Sequence, residues 1–226
     1  MINKTMKNPL KLSWKTEIFP LILLAISVAA ALFFYSRFGE IVATHWNMRG
    51  EVDGYSSKEL GAFLMPGMII IMYAMFNLIP LLDPRSERYL EFRSSYLKIR
   101  EAILLFLLVA SLVMGAANLG YINGVAKIIP IMVGLLFIFM GNLMGKIKTN
   151  WYVGLRNPWT LSDADTWNKA NRFSGKAFIF AGLLIGIDGF LPEDWRLPVF
   201  ITAIAIAVIA PTIYSFILYR RYRKDN

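Results

Sequence analysis

"LGAFLMPGMIIIMYAMFNLIPLL", residues 60–82, runs for 23 residues without a charge. About 20 residues of helix cross the hydrocarbon core of a bilayer, and in lipid a helix satisfies its backbone polar groups within its own segment. The stretch therefore predicts a membrane-spanning helix, with Pro66 as a kink and Pro80 as an end. Four more uncharged apolar runs obey the same rule: Ile18 to Ser36, Ala102 to Ala126, Ile128 to Gly145 and Leu197 to Tyr219. A sixth segment, Phe173–Leu191, is long enough but carries Lys176 and Asp188 near its ends. Lys176 can snorkel to an interface, and Asp188 is expected at the opposite rim. The expected fold is all-α, an integral membrane bundle of six transmembrane helices. Composition agrees, with 57% hydrophobic and 17% charged residues, where soluble domains carry about 25% charged.

The net charge of +9 is unevenly spread. Lys4, Lys7, Lys11 and Lys15 precede the first span. Arg85, Arg88, Arg93, Lys98 and Arg100 follow the second. Lys146, Lys148, Arg156, Lys169, Arg172 and Lys176 follow the fourth, and Arg220, Arg221, Arg223 and Lys224 close the chain. These alternate segments hold 19 of the 24 basic residues, against five on the other side. Basic loops stay in the cytoplasm, so both termini are expected there, with the loop after the first span outside. Trp14, Trp46, Trp151, Trp159, Trp167 and Trp195 all flank spans, as an interfacial aromatic belt does. Topology and attraction to anionic membrane lipids account for the charge, so no nucleic-acid partner is implied. The chain has no cysteine. Ala29-Ala30-Ala31 raises a signal-peptide reading, but the apolar run continues through Tyr35, which favours an uncleaved helix.

The chain divides into a basic lead (1–17), two helices with an outer loop and an inner connection (18–100), and four helices with a long inner loop (101–226). The uncharged runs hold no charge, and their amide side chains are Asn77, Asn118, Asn123 and Asn142. Ion pathways use intramembrane acids, bases or histidine, so an ion-coupled transporter is disfavoured. Gly134, Gly141 and Gly145, then Gly182 and Gly186, form small-residue seams. They predict internal helix packing, with a homodimer as the alternative.

"HWNMRGEVDGYSSK", residues 45–58, fills the outer loop. Gly50 and the Asp53-Gly54 pair are turn signals. A folded polar cap, a metal site, an acid–base pair and a recognition surface are the readings open. One histidine without thiolates is poor for a metal, and catalysis needs an oriented nucleophile or water. No catalytic residue, metal or cofactor is therefore assigned, and the chain is read as non-enzymatic. His45, Trp46, Asn47, Asp53 and Tyr55 are the candidate ligand-recognition residues. In the inner loop, 146–176, Asn157-Pro158 predicts an extended or turn backbone. Thr160 and Ser162 can cap a helix from about Asp163 to Arg172, feeding the next span. Trp167 and Phe173 are expected at the lipid interface. The loop reads as a lipid-docked connector or as a docking surface for a cytoplasmic partner.

Both stretches resemble a known family. "GLRNPWTLSDADTWNKANRFSGK", 154–176, is similar to the signature of SdpI-type membrane proteins through Gly154, Leu155, Arg156, Pro158, Trp159, Thr160, Leu161, Trp167, Asn171 and Arg172. The outer loop resembles a membrane domain that often precedes that signature, through His45, Trp46, Asn47, Gly50, Asp53, Gly54, Tyr55 and Lys58. Ala43 stands where that pattern has proline. The resemblance covers most of residues 15–220. It implies a six-helix bacterial plasma-membrane protein that gives immunity to a secreted peptide toxin. It also implies, from the founding system, recruitment of a cytoplasmic transcriptional repressor. The outer loop would meet the toxin, and Arg156, Pro158, Trp159, Thr160, Trp167 and Arg172 would fix the bundle or dock the repressor. A small-molecule transporter or lipid-handling protein is the alternative, and a membrane enzyme using His45 and Asp53 is a third class.

Overall fold

The computed structural model describes residues 9–225; Lys4, Lys7 and the Lys224 side chain lie outside them. Helix α1 is Trp14–Tyr35, and strands β1 (Ile41–Trp46) and β2 (Val52–Ser57) follow as an antiparallel hairpin. Helix α2 is Lys58–Leu82, and α3, Tyr89–Asn118, is entered through a 3-10 turn at Ser86–Arg88. Then come α4 (Val125–Met144), the short α5 (Pro158–Ser162), α6 (Ala164–Asp188) and α7 (Glu193–Asp225). Helices α1, α2, α3, α4 and α7 are long and apolar enough to cross a membrane. Helix α6 has 25 residues, but its first four turns carry Asp165, Lys169, Arg172 and Lys176.

The fold is mostly helical, and the all-α expectation is corrected by the hairpin. Ile41, Val42, Thr44 and Trp46 favour a strand, and Val42 is buried beside Phe34, Phe38 and Ala62. The Asp53-Gly54 turn signal falls inside β2. The reversal is instead built at Asn47–Gly50, where the Gly50 N–H donates to the Asn47 carbonyl at 2.8 Å.

Helices α1, α2 and α3 pack around Leu23, Ile69, Leu104 and Leu108. Helix α6 runs antiparallel to α4 and also packs on α7 through Ala181, Ile185, Ala203 and Ala207. The α4–α6 seam is made by glycines. A methyl on Gly134 would lie 2.5 Å from the Gly182 carbonyl oxygen, and one on Gly141 would lie 2.6 Å from that of Gly175. Backbones this close admit no larger residue, so these faces are spent on internal packing.

Two prolines feed cross-helix bonds. Proline has no N–H for the carbonyl four residues back. Pro20 thus releases the Thr16 carbonyl, which accepts from Arg100 Nη2 at 2.7 Å. Pro80 releases the Phe76 carbonyl, which accepts from the Tyr96 hydroxyl at 2.7 Å. Helix α2 nevertheless runs on to Leu82, two residues past the expected end.

The helices, unlike the uncharged runs that located them, carry charge. Helices α1 and α3 extend beyond their apolar runs and join Glu17 to a fully buried Arg100. Arg100 Nη1 donates to both Glu17 oxygens at 3.1 Å and to Asn77 Oδ1 at 2.9 Å. The Glu17 carboxylate also accepts from Tyr73 at 2.8 Å. A buried charge persists only when paired and hydrogen-bonded, and this network clamps α1, α2 and α3 together.

Candidate functional site

The two motifs lie at opposite ends of the bundle. At the hairpin end, the Asn47 side-chain oxygen accepts from the N–H groups of Arg49 (2.9 Å) and Glu51 (3.1 Å), closing the turn. Gly50 there has φ +85°, and an added methyl would lie 2.8 Å from the Ala126 side chain; both facts require glycine. Asn118, at the end of α3, pairs with Ala43 as a third strand would, accepting its N–H at 2.8 Å and donating to its carbonyl at 2.9 Å. Arg196 of α7 donates to the Met48 carbonyl at 2.8 Å. The hairpin is thus tied to α3, α4 and α7.

Its outward groups bond one another. His45 Nδ1 lies 2.5 Å from Asp53 Oδ1, with 72% and 44% of those side chains exposed. The Asn47 amide and the Arg49 guanidinium, both bonded to Glu51, hold its carboxyl below the usual carboxylate range. Tyr55 is 64% exposed. Among the described residues no three His, Cys, Asp or Glu side chains cluster as a metal would need.

Beneath the hairpin lies a cavity of about 370 Å³. Residues Thr44 to Met48 roof it, apolar side chains of α2, α3, α4 and α7 wall it, and Asp188 of α6 lines it. Of the five candidates in this loop, His45, Trp46 and Asn47 border the cavity, while Asp53 and Tyr55 do not. Asp188 was expected at the rim; it is instead 2% exposed, with no hydrogen-bond partner for Oδ1.

At the other end the long loop is a hydrogen-bonded cap. Asn157 is extended (φ −145°, ψ 170°), as a residue before proline must be. Its side chain accepts the Thr160 N–H at 3.0 Å while the Thr160 hydroxyl oxygen accepts the Asn157 N–H at 3.0 Å. That reciprocal box starts α5. Asp163, not Thr160 or Ser162, caps α6, accepting from the Thr166 N–H at 2.6 Å. Trp167 is fully buried, and its indole N–H donates to the Ile147 carbonyl at 2.8 Å. This corrects its expected place at the lipid interface. Phe173 is half-buried and packs on Tyr214.

Asn171 Oδ1 accepts the Leu155 N–H at 2.8 Å. Gly154, at φ +105°, leaves room for that oxygen, since a methyl there would lie 2.7 Å from it. Of the six candidates at this end, Thr160 and Trp167 are buried, Trp159 leans on Phe216, and Arg156, Pro158 and Arg172 are exposed. Arg156 donates to the Trp151 carbonyl at 2.8 Å.

Sequence reasoning passed over Asp83 and Asn150. Asp83 accepts from the Trp151 N–H at 2.9 Å and the Tyr89 hydroxyl at 3.0 Å. Buried Asn150 accepts from Tyr152 and Val153 and donates to Lys148 and Val153. A lone acid before a proline and an asparagine in a loop carry no periodic signal.

Residues 146–215 match the model of the SdpI/YfhL protein family, and residues 22–70 match a domain of unknown function, DUF1648. The chain is 27% identical over 207 residues to the immunity protein SdpI of Bacillus subtilis (strain 168), covering 92% of this chain and 97% of that one. No solved structure matches. The resemblance read from the two motifs is thereby shown in both its parts, an SdpI-family segment preceded by the domain of unknown function.

Proposed function

We propose that this chain is a bacterial plasma-membrane immunity protein that protects its cell from a secreted peptide toxin met at the hairpin end. The observation that carries the reading is its likeness, along nearly its whole length, to a protein named for immunity. The proposed topology has six spans, with both termini in the cytoplasm and the hairpin outside. The basic residues of alternate segments support that orientation. The antiparallel course of α6 against α4 supports its crossing as a sixth span, because Gly134 faces Gly182 and Gly141 faces Gly175.

The hairpin suits recognition in physical terms. It is anchored at Ala43, Met48 and Gly50, and it presents His45, Asp53 and Tyr55 to solvent. A preorganised surface loses little entropy on binding, and amphipathic aromatics such as Tyr55 and Trp46 are favoured contact residues. A cytoplasmic repressor, if recruited, would find Arg156, Pro158, half-exposed Trp159 and Arg172 on the other face, with Thr160 and Trp167 withdrawn into the fold.

The test is a toxin challenge. Sensitive bacteria lacking their own immunity protein express the chain, with membrane insertion verified, and receive the secreted peptide. Survival at toxin levels that kill vector controls is expected. Killing equal to the controls overturns the immunity reading.

A further inference from the structure

We propose that the cavity beneath the hairpin binds a primary ammonium group carried on an apolar body, with Asp188 as its counter-ion. The site does not depend on the toxin reading. Three observations carry it. First, the cavity is about 370 Å³, within the range of sites that hold small molecules, roughly 300–1,000 Å³. Its lining is mostly apolar, with Met65, Val113, Ile129, Val133 and Phe200 around it. Second, Asp188 lines this space while 2% exposed, and its Oδ1 has no partner. A buried carboxylate oxygen without a donor is costly, and a ligand donor would satisfy it. Third, the nearby cation is already committed. Arg196 gives its donors to the carbonyls of Leu191, Gly189 and Met48, and none to Asp188.

The shape of the request follows. One buried, unpartnered carboxylate oxygen in a mostly apolar chamber asks for a ligand with a compact donor and a greasy remainder. An ammonium supplies three donors and a full charge, and charge-assisted bonds are the stronger ones. A guanidinium would leave more donors unmatched among methionine, valine and phenylalanine walls. Such an ammonium could come from a peptide amine or from the headgroup of an ethanolamine lipid.

The test uses the full chain in phosphatidylcholine nanodiscs, titrated calorimetrically with n-hexylammonium and with n-hexanol. Hexylammonium is expected to bind at least tenfold more tightly than hexanol. Asp188→Asn should weaken hexylammonium at least tenfold and leave hexanol unchanged, which also shows that the cavity persists. Equal binding of the two probes, or unchanged hexylammonium binding in Asp188→Asn, overturns the proposal. Should that variant fail to insert, Ala110→Phe fills the chamber and leaves the carboxylate; hexylammonium binding that survives it overturns the proposal equally. Repeating the titration with phosphatidylethanolamine in the disc separates the sources. Competition by that lipid assigns the headgroup, and undiminished binding assigns a peptide amine, to be matched by an apolar peptide that binds with a free α-amino group and not when acetylated.

Discussion

Trp167 and Asn150 are fully buried at the end formed by the long loop, and Asn171 nearly so, each held by hydrogen bonds to backbone within that end. At the hairpin end, Tyr55 is 64% exposed, and His45 and Asp53 face solvent and bond each other. Both stretches are polar, aromatic and recognisable as family motifs, yet their side chains are used differently. One motif is spent on folding a cap. The other keeps its polar groups outside and sets them over a cavity with an unsatisfied carboxylate. A motif match therefore says where side chains are constrained, and burial says whether the constraint is internal.

That contrast can be broken by substitution. The largest effect is expected at Trp167. Trp167→Ala removes a buried indole and strands the Ile147 carbonyl, costing about 3–5 kcal/mol; denaturant-induced unfolding in mixed micelles should show it, together with reduced membrane abundance. A loss below about 1 kcal/mol, inside the range of surface changes, would place the indole outside the core. Next comes Asp83→Ala, which strands the Trp151 N–H and leaves the buried Tyr89 hydroxyl only the longer bond to Asn150 at 3.4 Å. The expected cost is about 1–3 kcal/mol, read from the same unfolding curves, and Asp83→Asn should recover part of it.

At the other end the effects shrink and become local. Asn118→Ala cuts both bonds to Ala43, so the hairpin amides should exchange with deuterium about tenfold faster while α4 and α6 keep their protection, a local opening of about 1.4 kcal/mol. Uniform acceleration across the chain would mean that the hairpin is part of the global fold. Smallest of all, Tyr55→Ala should leave unfolding within about 0.5 kcal/mol of the parent.

Much of this was legible in the sequence. The apolar runs located α1, α2, α4 and α7, because in lipid a span is a matter of length without charge. The glycine spacing marked close-packing faces on α4 and on α6, but it did not pair them and passed over Gly175, because spacing shows a small face and not its partner. Asp163 was read in the first turn of α6, one residue from its place as the cap. Other features were hidden for physical reasons. The hairpin was masked because Asp53-Gly54 outweighed the β-branched run at Ile41–Thr44. The Glu17–Arg100 pair was missed because uncharged runs were used as helix boundaries, and a buried ion pair extends a helix past them. Trp167 looked interfacial because tryptophan at a span end usually is. Asp188 looked like a rim residue for the same reason, and only the fold places the hairpin over it.

The measurement closest to the central claim is toxin survival of cells carrying Trp46→Ala, Asp53→Ala and Tyr55→Ala together, at membrane levels matched to the parent chain. The account predicts normal abundance with protection lost, since it assigns these residues to ligand contact. Full protection at matched levels would contradict it, and would move recognition away from the hairpin.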